Sequence, residues 1–131
     1  MRYAAVLVAL VVLLALLCAC DDDYKRADVV LTEEDFGHTV KVYARDVIDL
    51  RLQANPTTGY EWAIRWTPRE WLRLLDEDYV RGGAMMGAGG VKHFVLRAVQ
   101  PGQATIELKY GQPWAGGKRQ GTWRIKLRIS P

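Results

Sequence analysis

Strict alternation of apolar and polar residues constrains this chain more than any other feature of its sequence. Five segments carry apolar side chains at every second position, with mostly polar or charged side chains between them, and two shorter segments fit the same pattern. The segments are 29–31, 40–43, 48–54, 62–66, 94–98, 106–110 and 123–129. A period of two is that of a half-buried β-strand. About seven strands joined by turn-rich connections predict an all-β fold, an antiparallel β-sandwich.

One short segment carries a helical signal instead. Thr67 suits an N-cap, Pro68 suits the first helical position, and Glu70 lies three residues after Thr67, as in a capping box. We therefore expect one or two helical turns in this segment. The apolar residues expected to face the core from it are Trp71, Leu72 and Leu75.

The N-terminal segment has the layout of a secretory signal. Arg2 supplies one early positive charge, and an unbroken apolar run then extends to Leu17, as such signals require. The run is slightly shorter than the roughly 20 residues that cross a bilayer as a helix. A retained signal-anchor helix is the alternative to a cleaved signal peptide.

The residues that end this run resemble a bacterial lipobox. Leu17 lies three positions before Cys20, and Ala19 is the small residue just before that cysteine. Cys20 is thus the expected lipidation site, whereas a Cys18–Cys20 disulfide would be strained. We expect a signal peptide over residues 1–19, the lipidated cysteine and a short tether over residues 20–27, and one domain over residues 28–131. The expected location is the bacterial cell envelope, as a membrane-anchored lipoprotein on the periplasmic face in a Gram-negative cell.

The composition argues against several kinds of function. Only Arg2 of the 18 basic residues precedes Cys20, so 17 basic residues face 15 acidic ones after it, which argues against nucleic-acid binding. Lipidation of Cys20 leaves no free thiol, and the domain's single serine, Ser130, lies next to the C-terminus. A cysteine or serine nucleophile is therefore not expected.

Histidines and carboxylates offer equally little for catalysis. His38 and His93 lie in different segments without metal-ligand spacing, so we expect no metal and no cofactor. His93 falls on the outward face of its strand and is expected to be solvated. Carboxylate pairs such as Asp76 and Asp78 leave a hydrolase as an alternative, although nothing in the sequence places them at a cleft. We expect a protein that is not an enzyme.

A basic stripe follows the outward face of the last predicted strand. It consists of Arg124, Lys126 and Arg128. One interpretation is a solvated face with cross-strand partners such as Glu107. The other is contact with anionic lipid beneath a short tether.

Three connections contain more turn-forming residues than a link between strands requires. The first loop (residues 55–60) reads NPTTGY, the second loop (residues 82–90) reads GGAMMGAGG, and the third loop (residues 111–121) begins with GQPW. In an immunoglobulin-like order of strands, connections two apart in sequence emerge at the same end of the sandwich. We therefore expect the three loops to lie together at one end.

The first loop is expected to be rigid before it meets any partner. Pro56 fixes its own φ and favours an extended conformation for Asn55, while Thr57 and Thr58 are stiff at χ1. Gly59 can take the positive φ that a tight return needs. The Asn55 side chain can also form hydrogen bonds with the backbone of the loop.

The three loops together resemble those of the chagasin family of cysteine-protease inhibitors. The matching motifs are NPTTGYEW, then GAGG followed shortly by HF, and then YGQPW, and the resemblance extends over residues 29–129. It implies an immunoglobulin-like sandwich that binds papain-like cysteine proteases reversibly and non-covalently, as a monomer, and blocks the active-site cleft with three loops. The protease-binding positions that it implies are Asn55, Pro56, Thr57, Thr58, Gly59 and Tyr60 in the first loop, Met85, Met86, Gly87, Gly89 and Gly90 in the second, and Gln112, Pro113 and Trp114 in the third.

One position departs from the family pattern. Gln112 stands where the family has an arginine. A charged donor to a partner contributes roughly 1.5–3 kcal/mol, so its loss would weaken binding by about ten- to a hundredfold. This departure keeps an alternative open, a cell-envelope binding module that uses the same loops on a partner other than a protease.

Overall fold

Two four-stranded β-sheets make up most of the chain. The computed structural model describes residues 26–83 and 88–131. The strands are β1 (Val29–Leu31), β2 (Thr39–Tyr43), β3 (Val47–Ala54), β4 (Glu61–Thr67), β5 (Leu72–Arg81), β6 (Gly90–Ala98), β7 (Gly102–Gly111) and β8 (Arg119–Ser130). One sheet has the order β1-β3-β6-β5 and the other the order β2-β8-β7-β4. The predicted all-β sandwich is confirmed, with eight strands in the described residues instead of about seven.

Strand pairing differs from the prediction in two respects. β1 runs parallel to β3 and β2 runs parallel to β8, so the sandwich is not antiparallel throughout. The alternation rule also misses β5, which pairs with β6 along its whole length. The register of that pair shifts between Leu74 and Asp76, and a bulge of this kind breaks the period of two.

The core lies between the two sheets and is built from the residues that the alternation places inward. Leu50, Leu96, Ile106 and Leu127 come from four different strands, and each has essentially no exposed surface. Burying an aliphatic side chain of this size stabilises the fold by about 1.5–3 kcal/mol. The strand residues Trp62, Ile64 and Trp66 are half-buried and pack against this cluster.

The predicted short helical segment is present as one turn, but its predicted capping box is wrong. Arg69–Trp71 forms a single 3-10 turn, preceded by Pro68 in an extended conformation without a side-chain cap. Thr67 pairs with Thr105 as the last residue of β4, so it does not act as an N-cap. Leu72 is buried at the start of β5. Sheet pairing on both sides of the turn leaves no room for a longer helix, because tertiary context overrides local capping preference.

The three loops do lie at one end of the sandwich. Gly90 pairs with both Ala54 and Arg81, so β3 and β5 end where β6 begins. Gly111 occupies the equivalent place in the other sheet, where β7 ends and β4 and β8 begin. The first loop joins β3 directly to β4, and this connection puts both sets of strand ends on the same side.

The chain enters the sandwich at the opposite end. The backbone N–H of Asp28 donates to the Val47 carbonyl oxygen, and the Asp28 carboxylate accepts from the Val47 N–H, each over 2.8 Å. Val47 begins β3, whose other end leads into the first loop. The predicted signal peptide and the lipidation site at Cys20 lie outside the described residues. Within the described residues no helix has the length and apolar character needed to span a membrane.

A buried carboxylate links three strands on the outer face of the β2-β8-β7-β4 sheet. Glu107 is 9% exposed, and its oxygens lie 2.8 Å from Arg65 Nη2, 3.0 Å from Arg124 Nη2 and 3.6 Å from Lys109 Nζ. Glu107 is thus the cross-strand partner of Arg124, as the sequence suggested. Burial raises the pKa of Glu107, but the hydrogen bonds and charges of Arg65 and Arg124 outweigh it and hold the pKa below its ordinary value of 4.5.

Glu107→Gln is expected to make stability less sensitive to acid. A carboxyl with a depressed folded-state pKa adds stability above its unfolded-state pKa and loses it as the pH falls through the folded-state pKa. The variant should therefore unfold at lower urea concentration at pH 7 and show a shallower decline below about pH 4.5. Urea titrations followed by tryptophan fluorescence between pH 7 and pH 3 measure both effects. Glu61→Gln, at an exposed position of β4, is the control, and parallel pH profiles for Glu107→Gln and the unmodified protein would contradict the prediction.

Candidate functional site

The first loop forms a compact turn whose polar groups bond to one another. Pro56–Thr58 is a 3-10 turn capped by Asn55 in an extended conformation, and Gly59 follows with φ 78°. Asn55 Oδ1 accepts from the Thr57 N–H over 3.3 Å and from the Thr57 hydroxyl over 2.6 Å. The Thr58 hydroxyl donates to the Asn55 carbonyl oxygen over 2.7 Å. The predicted backbone conformations of Asn55 and Gly59 are confirmed. Both threonine hydroxyls donate within the loop, and Thr58 Oγ1 also accepts from the Tyr60 N–H over 3.4 Å.

The third loop is closed by Gln112. Its backbone N–H donates to the Lys118 carbonyl oxygen over 2.7 Å, and its side-chain Oε1 accepts from the Lys118 N–H over 2.9 Å. A further turn bond runs from the Gly117 N–H to the Trp114 carbonyl oxygen over 3.0 Å. Gln112 therefore braces its own loop, a role that the sequence did not reveal.

Trp114 brings the third loop against the first. A Cβ atom placed on Gly59 would lie 2.8 Å from Trp114 Cη2, so the indole ring can approach this closely only because residue 59 has no side chain. The Trp114 side chain is nevertheless 55% exposed. The indole ring of Trp114 thus lies against the first loop at Gly59, and more than half of its surface remains exposed to solvent.

A cluster of aromatic side chains lies on the core side of the first and third loops. The ring centroids of Tyr60 and Tyr110 are 5.5 Å apart, those of Tyr110 and Trp62 are 4.6 Å apart, and those of Trp62 and Trp123 are 5.4 Å apart. Trp62 Nε1 also donates to the Gln53 carbonyl oxygen over 2.8 Å, just before the first loop. Sequence reasoning assigned the strand members of this cluster to the core only. The available signal was that alternation places Trp62, Tyr110 and Trp123 inward on β4, β7 and β8, close to the ends that lead into the loops.

The glycines of the second loop pack closely against neighbouring backbone, including the end of β3 from which the first loop begins. The Gly82 N–H donates to the Gly89 carbonyl oxygen over 2.9 Å, and a Cβ on Gly89 would lie 3.2 Å from the Ala54 carbonyl oxygen. A Cβ on Gly90 would lie 2.2 Å from the Val80 carbonyl oxygen, so Gly90 serves close strand packing. The predicted contact residues Met85, Met86 and Gly87 lie outside the described residues.

His93 lies away from these loops, on the outer face of the β1-β3-β6-β5 sheet. Its side chain is only 22% exposed, and Nδ1 lies 2.9 Å from Asp49 Oδ1. Asp49 is itself buried and also accepts from Arg51 Nε over 2.8 Å. The expectation of a solvated histidine is therefore wrong, because the neighbouring strand β3 supplies a carboxylate beside it. Across residues 26–83 and 88–131 there is no group of three His, Cys, Asp or Glu residues that could hold a metal ion.

The fold and this end of the molecule define a binding module built on an immunoglobulin-like sandwich. The model of one protein family, described as "Chagasin family peptidase inhibitor I42", matches residues 41–129. The chain belongs to this family. Its members are peptidase inhibitors and not enzymes.

Individual relatives agree with the family match. The chain is 30% identical to Amoebiasin-2 of Entamoeba histolytica over 76% of its own length and 85% of that protein. It is 29% identical to Chagasin of Trypanosoma cruzi over 66% of its length and 83% of that protein. The crystal structure of the cysteine protease inhibitor EhICP2 from Entamoeba histolytica superposes with a TM-score of 0.70 at 27% identity and covers 77% of this chain and 95% of that one. The matched region is nearly the whole crystallised chain of that inhibitor, so in that protein the sandwich folds without a further domain.

Proposed function

We propose that this protein is a reversible, non-covalent inhibitor of papain-like cysteine proteases. The observation that carries the proposal is the contact between the first and third loops, where Trp114 lies on Gly59 beside a self-bonded turn. Family membership and the crystallised cysteine protease inhibitor EhICP2 support it. In this proposal the three loops block the active-site cleft of the protease, and no group of this chain undergoes a chemical reaction.

The backbone conformation of the first loop suits a segment that occupies a protease cleft without being cleaved. Proteolysis requires an extended scissile segment with its carbonyl oxygen in the oxyanion hole. Residues 56–58 are instead turned, and the Asn55 carbonyl oxygen is already bonded to the Thr58 N–H and hydroxyl. Because the loop is held by its own hydrogen bonds, little conformational entropy is lost on binding.

Titration of the domain against papain tests the proposal. Residues 26–131, purified without the N-terminal segment, should inhibit papain at submicromolar concentration, and the activity should return on dilution. Electrophoresis after prolonged incubation should show an intact inhibitor, and chymotrypsin should be unaffected. A correctly folded domain that leaves several papain-like proteases untouched at micromolar concentration would overturn the proposal and favour the cell-envelope binding module.

We also propose that the protein is a membrane-anchored lipoprotein with Cys20 as the lipidated residue. The lipobox resemblance supports this, and so does the entry of the chain at Asp28, opposite the three loops. A tether at that end keeps the anchor away from the three loops. Cys20→Ala should move the protein from the membrane fraction to the soluble fraction of the envelope, and retention in the membrane would contradict lipidation at this residue.

Gln112→Arg is expected to tighten protease binding by about tenfold. A charged donor contributes roughly 1.5–3 kcal/mol, whereas the neutral bond to the Lys118 N–H that the substitution removes contributes about 0.5–1.5 kcal/mol. Inhibition constants for papain measure the change. Gln120→Arg adds the same charge at another exposed position of the third loop and serves as the control. Weaker inhibition by Gln112→Arg would show that bracing of the third loop matters more than the charge.

A further inference from the structure

The outer face of the β2-β8-β7-β4 sheet is strongly positive. Seven exposed basic side chains and two acidic side chains point outward from it. The basic residues are Lys41, Arg65, Lys109, Arg119, Arg124, Lys126 and Arg128, and the acidic residues are Glu61 and Glu107. We call this surface the cationic face.

Neutralisation within the cationic face is incomplete. Glu107 is buried beneath Arg65, Arg124 and Lys109, so three cations share one carboxylate. The other cations of the face, Lys41, Arg119, Lys126 and Arg128, form no ion pair with any described residue. Lys41, Lys126 and Arg128 lie side by side, since Lys41 is opposite Arg128 in the β2–β8 pair and Lys126 is two residues before Arg128.

On the outer face of the β1-β3-β6-β5 sheet, by contrast, positive and negative side chains are equal in number. Its outward positions on β3, β6 and β5 carry three arginines and three aspartates. These are Arg51, Arg73 and Arg97 against Asp49, Asp76 and Asp78. Charge is therefore segregated between the two faces of the sandwich and does not simply reflect a basic composition.

A donor-rich groove lies within the cationic face. It has a volume of about 280 Å³, and its lining includes Thr39, Gln103, Thr105, Lys126 and Arg128. Hydroxyl, amide, ammonium and guanidinium groups all donate hydrogen bonds to phosphate oxygens. No acidic side chain is among the described residues that line the groove.

We propose that the cationic face binds the surface of an anionic phospholipid bilayer, with a headgroup phosphate in this groove. Charge complementarity favours this partner, because lysines and arginines close to an anionic membrane are attracted to it. The face runs along the side of the sandwich, whereas the three loops lie at its end. A domain lying on this face would keep its loops free for a protease, so the proposal stands whether or not the inhibitor proposal does.

Vesicle sedimentation with residues 26–131 tests the proposal without any contribution from a lipid anchor. The domain should bind vesicles of equal parts phosphatidylglycerol and phosphatidylcholine at low salt, bind pure phosphatidylcholine far more weakly, and dissociate as salt is added. The triple variant Lys41→Gln, Lys126→Gln, Arg128→Gln should bind on the order of a hundredfold more weakly, at roughly fivefold per cation. Its thermal unfolding and its papain inhibition should be unchanged.

A matched triple variant separates the cationic face from total charge. Arg26→Gln, Arg73→Gln and Arg81→Gln remove the same charge from exposed positions outside the face and should leave vesicle binding within about threefold. Equal losses in the two triple variants would overturn the proposal, as would equal binding to both vesicle types. Binding of inorganic phosphate to the groove without any binding to phosphatidylglycerol vesicles would also overturn it, since the groove would then be a site for a free anion only.

Discussion

Trp114→Ala should weaken inhibition of papain by roughly a hundredfold, while the stability of the domain stays the same. Aromatic residues at the centre of an interface contribute about 2–4 kcal/mol, which corresponds to roughly 30- to 1000-fold in affinity. The side chain is 55% exposed and adds little to the core, so its truncation should act on the complex alone. Inhibition constants measured beside thermal unfolding curves separate the two effects.

Tyr43→Ala is the matched control for this experiment. Tyr43 is 63% exposed and pairs with Ser130 at the end of the sandwich opposite the loops. Its removal should change the inhibition constant by less than about twofold, since a surface residue remote from an interface carries little binding energy. A similar inhibition constant for Trp114→Ala and the unmodified protein would mean that the third loop does not anchor the complex.

Gly59→Ala should weaken inhibition by about ten- to a hundredfold through two additive causes. An alanine at φ 78° costs roughly 1–2 kcal/mol of backbone strain, and its Cβ would lie 2.8 Å from the Trp114 ring. The indole must move, so the first and third loops lose their relative placement. The inhibition constant for papain and the fluorescence emission of the domain together report on binding and on the tryptophan environment.

Gly37→Ala separates the effect of backbone strain from the effect of displacing the Trp114 ring. Gly37 has φ 79°, and a Cβ placed there would meet nothing within 4 Å. This variant should lose a similar amount of stability while its inhibition constant stays within about twofold, since a site outside the loops acts independently. If Gly37→Ala impairs inhibition as strongly as Gly59→Ala, general destabilisation and not loop placement explains the loss.

Strand positions and the core could be predicted because alternation is a local property. Each of β3, β6, β7 and β8 shows it plainly, and the residues it places inward are buried. The rule failed at Leu72–Arg81, where a bulge interrupts the period, and at Thr67, whose sheet pairing overrides its capping preference. In both places the deciding interaction comes from a neighbouring strand that is distant in sequence.

The sandwich, the backbone conformation of the first loop and the family motifs follow from the sequence alone, because backbone preferences and periodicity act over a few residues. How these parts combine depends on the folded structure. The contact of Trp114 with Gly59, the bracing of the third loop by Gln112 and the aromatic cluster beneath Tyr60 depend on side chains that strand pairing and sheet packing bring together. The segregation of charge onto one face likewise follows from strand order, since β2, β8, β7 and β4 become neighbours only when the sheet forms.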